Sequence, residues 1–280
     1  MPLSFGAIRS PSWSLRHAFE PDLTSLERDD DAPFAKLPCP FPPRDQDGVL
    51  CCVSCSVVLA MESMDARRDG GLPGGGLDPV EAQRDRSTEL SPLFLHYTTT
   101  GGKNTPVSVD AVLESAKRFG VCRASAHRRS ISRRTVDDKP SSKARRNAMT
   151  YRLKGKRSGC GRTRYYNRLS SRGVVKQWKA LLRSECPVLC VFRLSPAYYR
   201  LGERCADGLP LEVFHAKPRR FRSTCHCVAI MGYSDDVRSF LVVDSRGTDW
   251  GNAGTWWLPY ELAGSSLVEE SWTINDLTYD

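Results

Sequence analysis

Apolar residues recur at helical spacing from Cys51 to Asp65, with Val53, Val57, Val58, Met61 and Met64 in register, and this predicts a core helix carrying Cys52 in its first turn. Asp69-Gly70-Gly71-Leu72-Pro73-Gly74-Gly75-Gly76 then reads as a flexible loop. Ser91-Pro92 opens a short apolar helix through Phe94, Leu95 and Tyr97, since proline is tolerated at a first helical position. A third helix fits Val107 to Phe119, with Ser108 or Asp110 near its start and Gly120 just past its end. Further on the pattern changes. Val174 to Leu182 reads as one more helix, and the short apolar run Pro187 to Phe192 as a buried strand. Cys225 to Tyr233, Ser239 to Val243 and Thr255 to Leu258 add strands, separated by Ser234-Asp235-Asp236 and by the stretch from Gly247 to Gly254. No internal repeat is present. The pattern predicts an α+β fold in three parts: an extended segment rich in proline and charge over residues 1–45, a helical subdomain over 46–125 and a β-rich subdomain over 126–280. The first part ends in Leu37-Pro38-Cys39-Pro40-Phe41-Pro42-Pro43, which cannot form a regular helix and is expected to pack along the surface of the helical subdomain.

Composition adds limits. The chain has 280 residues, 40% hydrophobic and 26% charged, which suits a globular protein with one large core or two modest ones and no need of disulfide staples. The net charge of +9 is concentrated between Arg128 and Arg164. A solvated loop is the simpler reading of that stretch. A basic module binding nucleic acid is the weaker one, although Tyr151, Tyr165 and Tyr166 interleave aromatic rings with the charge. Met1 to Phe19 contains Arg9 and Arg16 but no uninterrupted apolar h-region, and no run of about 18 apolar residues occurs anywhere, so neither a cleaved secretory signal nor a membrane span is expected. Eleven cysteines, an odd number, with no signal sequence favour the cytoplasm and free thiols buried as small hydrophobic groups. Oligomeric state is not readable from the chain.

The chemistry-bearing residues are Gln46, Cys52, His226 and Asp244. A thiolate in the first turn of a helix is favoured by the unpaired amides and the positive end of the helix dipole. Gln46, six positions before Cys52, could donate its amide to an oxyanion beside the N–H of Cys52. His226 lies in a strand, where alternation turns Cys225 and Cys227 to the opposite face. The following strand presents Asp244, whose carboxylate could orient the imidazole towards a thiol. A zinc site would need Cys51, Cys52 or Cys55 to join the strand cysteines, and the spacing lacks a second C-x-x-C to pair with Cys52 and Cys55, or an H-x-x-x-H clamp.

These residues resemble those of the papain family of cysteine peptidases, in a bacterial-type form. Gln46, Cys52 and Glu62 match the family's glutamine, nucleophile and helix-end glutamate without a gap, and Arg44-Asp45-Gln46 and Leu90 to Tyr97 also fit. His226 to Tyr233 resembles the histidine strand, and Val243 to Gly254 the Asn-Ser-Trp-Gly strand with its glycine-rich turn. The likeness spans about residues 38 to 274. It implies a helical half facing an antiparallel β half with the cleft between them, a peptide or protein substrate, and no cofactor. Cys52 would be the nucleophile, His226 the general base and then acid, Asp244 the imidazole orienter and Gln46 the oxyanion donor. The chain departs from the pattern in having Asp244 where asparagine is usual and Arg246 where tryptophan is usual, which leaves the apolar cover over the imidazole pair unaccounted for. Cys55 competes with Cys52 for the nucleophile's place, and the spacing from Gln46 and to Glu62 favours Cys52. The departures also admit a catalytically silent relative that binds peptides or proteins. Residues 1–36 do not read as a long helical pro-segment, so a pro-enzyme is the less expected form, though they could still include a short blocking peptide.

Overall fold

The computed structural model describes residues 6–10, 32–68, 86–153, 157–158, 161–162, 166–168, 173–194, 198–199, 225–274 and 278–279. The predicted loop from Asp69 to Gly76, much of the N-terminal segment and the basic residues Lys154, Lys156 and Arg164 lie outside them. Three helices come first, α1 (Cys52–Arg68), α2 (Pro92–Thr100) and α3 (Val109–Phe119). A short helix α4 (Ser142–Ala148) follows in the basic stretch, then α5 (Val174–Arg183) and α6 (Tyr260–Ala263).

The main sheet has seven strands: β1 (Phe34–Lys36), β2 (Tyr166–Arg168), β3 (Val188–Arg193), β4 (Cys225–Ser234), β5 (Ser239–Val243), β6 (Thr255–Pro259) and β7 (Val268–Ile274). They run in the order β2-β7-β3-β4-β5-β6, with β1 paired to the far end of β4, and every pairing is antiparallel. The architecture is the α+β arrangement expected. One difference lies in the lead-in. Residues 34–36 join the sheet instead of packing along the surface of the helical subdomain, and Leu37 and Phe41 behind them are buried.

The sheet separates two cores. On one face Val188, Cys190 and Phe192 of β3 pack with α5, whose Trp178 meets Phe240 edge to face at 5.1 Å and donates to Ser271 Oγ at 3.3 Å. On the other face Leu189 and Val191 pack with α1 and α3. Helix α1 is buried along its whole length from Cys52 to Ser63, polar residues included, because it runs between the sheet and the other helices. Its serines, alanines and cysteines are small enough for that position, so the single apolar face read from the sequence understates its burial. Helix α2 opens at Ser91-Pro92 as predicted. Ser91 Oγ accepts from Phe94 N at 3.2 Å, Pro92 occupies the first turn, and Gly101 closes it in the left-handed region. Helix α3 starts at Val109, not Val107, because the Val107 backbone is paired with the N-terminal segment: it donates to Gly6 O at 2.7 Å and accepts from Ile8 N at 2.9 Å.

At the buried end of α1, Glu62 takes both guanidinium nitrogens of Arg44, at 2.9 and 2.6 Å, and the Leu90 amide at 2.7 Å. This ties the lead-in, α1 and the start of α2 to one carboxylate. Removing one member of a buried ion pair strands the other charge, so Glu62→Ala should lower the unfolding free energy by about 3–5 kcal/mol in urea titration. A loss below about 1 kcal/mol would show that the pair does not bear on stability.

Candidate active site

The turn from Gln46 to Cys51 delivers Cys52 to the start of α1. Asp47 and Gly48 take positive φ, and Val49 N donates back to Gln46 O at 2.8 Å. Asn104, from the loop between α2 and α3, accepts from Leu50 N at 2.7 Å and fixes the last residues before the helix. The same turn is stitched to the end of β5. Gln46 N donates to Ser245 O at 2.9 Å, Gly247 N to Arg44 O at 3.0 Å, and Ser245 Oγ to Gln46 Oε1 at 2.7 Å. Gln46 Nε2 donates to Val49 O at 2.9 Å, which orients the side-chain amide. The glycine-rich turn after β5 sits tightly under this seam. Gly254, at φ +84, places its backbone where a Cβ would stand 2.5 Å from Pro43, and its carbonyl accepts from Asp244 N at 2.9 Å.

Asp244, at the end of β5, is 3% exposed and accepts four hydrogen bonds. Oδ1 receives His226 Nε2 and Ser245 N, both at 2.8 Å, and Oδ2 receives the Tyr198 hydroxyl at 2.7 Å and Trp256 Nε1 at 2.9 Å. Burial acts to raise the Asp244 pKa, but His226, Tyr198 and Arg246 together hold it below the usual carboxylate range. The Cys52 thiol lies near enough to the imidazole to bear on its charge. Burial acts to lower the His226 pKa; the charge and hydrogen bond of Asp244, with the neighbouring Cys52 behind them, overcome it and raise the value to about 9. Cys52 and His226 are both fully buried.

The apolar cover missing from the sequence pattern is present. Phe192, Tyr198 and Trp256 surround the site, with Phe192 and Tyr198 packed on the His226 ring at 5.8 and 5.6 Å, and the Arg246 guanidinium lies over Tyr198 and Trp250. Neither Tyr198 nor Trp256 was singled out by sequence. Tyr198 stands in an aromatic pair with Tyr199 after Pro196 and carries no spacing signal, and Trp256 reads only as a strand residue.

The remaining cysteines divide clearly. Cys51 and Cys55 face each other at 3.7 Å between sulfurs and pack with Val49, Leu93, Ile131 and Val136, in a cluster apart from the imidazole. The contact with Cys55, followed by burial, pushes the Cys51 pKa well up. Cys225 and Cys227 do lie on the face of β4 opposite His226, but that is the face on which α1 rests, so they pack in the same cluster as Cys52 instead of pointing away from it. Burial raises the pKa of both and keeps them neutral thiols. Among the described residues no group of His, Cys, Asp and Glu side chains could hold a metal ion, and no helix is long and apolar enough to cross a membrane. In the described part of the basic stretch, Arg128 pairs with Asp138 at 2.6 Å, Arg129 with Glu89 at 3.5 Å, and Arg133 donates to Gly48 O at 3.0 Å.

Residues 6–10 cross between the two sides of this site. Ala7 forms a parallel bridge to Val107, beside α3, and an antiparallel bridge to Cys225, the residue before His226. Gly6 passes so close to Leu50, two residues before Cys52, that a Cβ there would stand 1.8 Å from the Leu50 carbonyl oxygen. At the other end Ser10 donates through both N and Oγ to the buried Glu270, at 3.3 and 2.8 Å. The sequence offered no sign of this strap, because five residues show no periodicity.

No protein-family model matches the chain, and no curated protein does. Solved structures do. Xylellain, a cysteine protease from Xylella fastidiosa, superposes with a TM-score of 0.74 at 19% identity, covering 98% of this chain and 96% of its own. Two digestive enzymes of Tenebrio molitor larval midgut follow the same path: procathepsin L2, with a TM-score of 0.64 at 16% identity over 96% of this chain and 77% of its own, and procathepsin L3, with 0.59 at 16% over 97% and 75%. At these identities the likeness is one of fold, and the chain has the papain-like fold.

Proposed function

We propose that this chain is a papain-like cysteine peptidase. The observation that carries the reading is the buried hydrogen bond between the His226 imidazole and the Asp244 carboxylate, with the buried Cys52 thiol near it where the first turn of α1 meets β4 and β5. His226 Nε2 is held by Asp244, so Nδ1 is the nitrogen that serves the thiol. The Cys52 thiolate adds to the peptide carbonyl carbon, and the new oxyanion is received by the Cys52 N–H and the Gln46 side-chain amide. The His226 imidazolium gives its Nδ1 proton to the leaving amine as the C–N bond breaks, which leaves an acyl thioester. Water then adds to that thioester while the neutral imidazole takes its proton, the acid is released and the thiolate returns. The carboxylate turns no chemistry itself; it holds the ring and stabilises its charged form.

A thiol-directed epoxide should label Cys52 stoichiometrically, and unchanged labelling of Cys52→Ala would remove Cys52 from the assignment. His226→Ala should lose peptidase turnover by 10³-fold or more, roughly what loss of a general acid–base group costs at the upper end, while keeping the native circular dichroism spectrum. Retained turnover would take His226 out of the mechanism. Turnover needs the imidazolium as general acid, and its pKa is raised, so the acid form persists through neutral pH and is lost as pH rises through about 9. The alkaline limb of kcat/KM should fall there, and a limb near 6.5 would contradict the His226–Asp244 coupling. Ala7 of the strap packs in the cluster that holds Cys52, so Gly6→Leu, which cannot pass Leu50 and displaces the strap, should speed epoxide labelling at least tenfold. An unchanged rate would show that the strap does not govern access.

A further inference from the structure

We infer that Arg246 and Tyr198 are positioning residues that act on His226 through Asp244, a relay that this chain has in place of the usual asparagine and tryptophan; the inference rests on the peptidase reading above. The geometry leaves one direction for each hydrogen bond. A guanidinium only donates, so Arg246 Nε gives its proton to the Tyr198 oxygen at 2.7 Å. The Tyr198 hydroxyl must then give its own proton to Asp244 Oδ2, at 2.7 Å. Oδ1 is left to accept from His226 Nε2 and the Ser245 amide. The imidazole is therefore held with its proton on Nε2 when neutral, the tautomer that turns Nδ1 to Cys52.

The position of Arg246 is fixed from behind. Its backbone bridges Asp45, next to Gln46 in the seam between the lead-in and β5, and its guanidinium lies 5.1 Å from the Tyr198 ring centre and 4.5 Å from that of Trp250. An asparagine side chain would need no counter-charge, whereas a buried carboxylate does. Arg246 supplies it at one remove and without touching the imidazole. Tyr198 transmits it, and burial beside Asp244 pushes the phenol pKa well up, so the hydroxyl stays a donor throughout the working range.

The relay also spreads the carboxylate charge over four donors, so that less of it falls on the imidazolium. The titratable and charged groups facing the pair are Cys52 on α1, Tyr198 and Arg246, with Cys225 and Cys227 flanking His226 on β4, and Cys55 and Arg44, the latter paired with Glu62, beside the small cavity next to Asp244. Of these, only Tyr198 and Arg246 engage Asp244 from the side away from His226. Losing either should concentrate negative charge on the ring and make the imidazolium harder to deprotonate.

The test uses Tyr198→Phe, Arg246→Met and Arg246→Lys in the full chain, with two readouts. In steady-state peptidase assays Tyr198→Phe should lower kcat about tenfold with KM within twofold, and the alkaline limb should move upward by at least half a pH unit. Arg246→Met should move both in the same direction, and Arg246→Lys, which keeps the charge without the planar stack, should fall between it and the parent. The second readout is the imidazole titration of His226 by NMR in a Cys52→Ala background, which needs no turnover and should show the same upward shift. A chain without peptidase activity but with this shift would keep the relay and discard the peptidase reading. Unchanged titration in both Tyr198→Phe and Arg246→Met would overturn the relay, and so would a rise in KM with kcat and the alkaline limb unchanged, which is the signature of a pocket wall. Should Tyr198→Phe fail to fold, the partly buried Arg246 variants still decide the matter.

Discussion

The site depends on one buried carboxylate. Asp244 is 3% exposed, and an ionised group so far from water is tolerated only if every lone pair is engaged and a positive charge is near. Four donors meet that demand, and they come from four separate places in the chain: β4, the loop after β5, β6, and the segment at Tyr198. The same requirement fixes the imidazole ring, closes an aromatic wall around it, and draws Arg246 to the back of the cluster. The order of the site thus follows from satisfying a charge, with the packing of Phe192, Tyr198 and Trp256 excluding the water that would otherwise weaken it.

A second constraint brings the thiol to that ring. Helix α1 is buried along its first three turns and cannot shift without disturbing both cores. Its start is sewn to the end of β5 by the backbone pairing of residues 44–46 with 245–247, and Glu62, further along it, is anchored by Arg44. Arg44 takes part in both, donating to Glu62 through its side chain and accepting from Gly247 through its carbonyl. A single lead-in segment therefore sets the height of Cys52 against the strand that carries His226. Cys52 and His226 sit on elements far apart in sequence, but those elements are joined by backbone bonds between residues 44–46 and 245–247.

Much of this was legible in the chain. Helices α1, α2 and α5 and the strands from Val188 to Pro259 announce themselves through apolar period, Ser91 and Pro92 at a helix start, and short β-branched runs. Gln46, Cys52, His226 and Asp244 could be named because each belongs to a local pattern. The cover over the imidazole could not, because Tyr198 reaches Asp244 from 46 residues away in sequence and nothing local marks that contact. Arg246 read as the loss of a cover, when its side chain is part of how the cover is held. The strap at Gly6 to Ser10 was equally invisible, since its place is set by backbone bonds to Val107 and Cys225 and not by any pattern of its own. Alternation placed Cys225 and Cys227 correctly on the face opposite His226, but only the packing of α1 shows that this face is shared with Cys52.

The central claim is that Cys52, activated by this buried pair, takes an acyl group from its substrate. Intact mass spectrometry after acid quench of the protein mixed with an activated peptide ester measures that directly. The account predicts one acyl adduct, mapped by digestion to Cys52, that forms and decays on the time scale of turnover and does not form in His226→Ala. An adduct on Cys55, or ester hydrolysis with no acylated protein at any time, would contradict it.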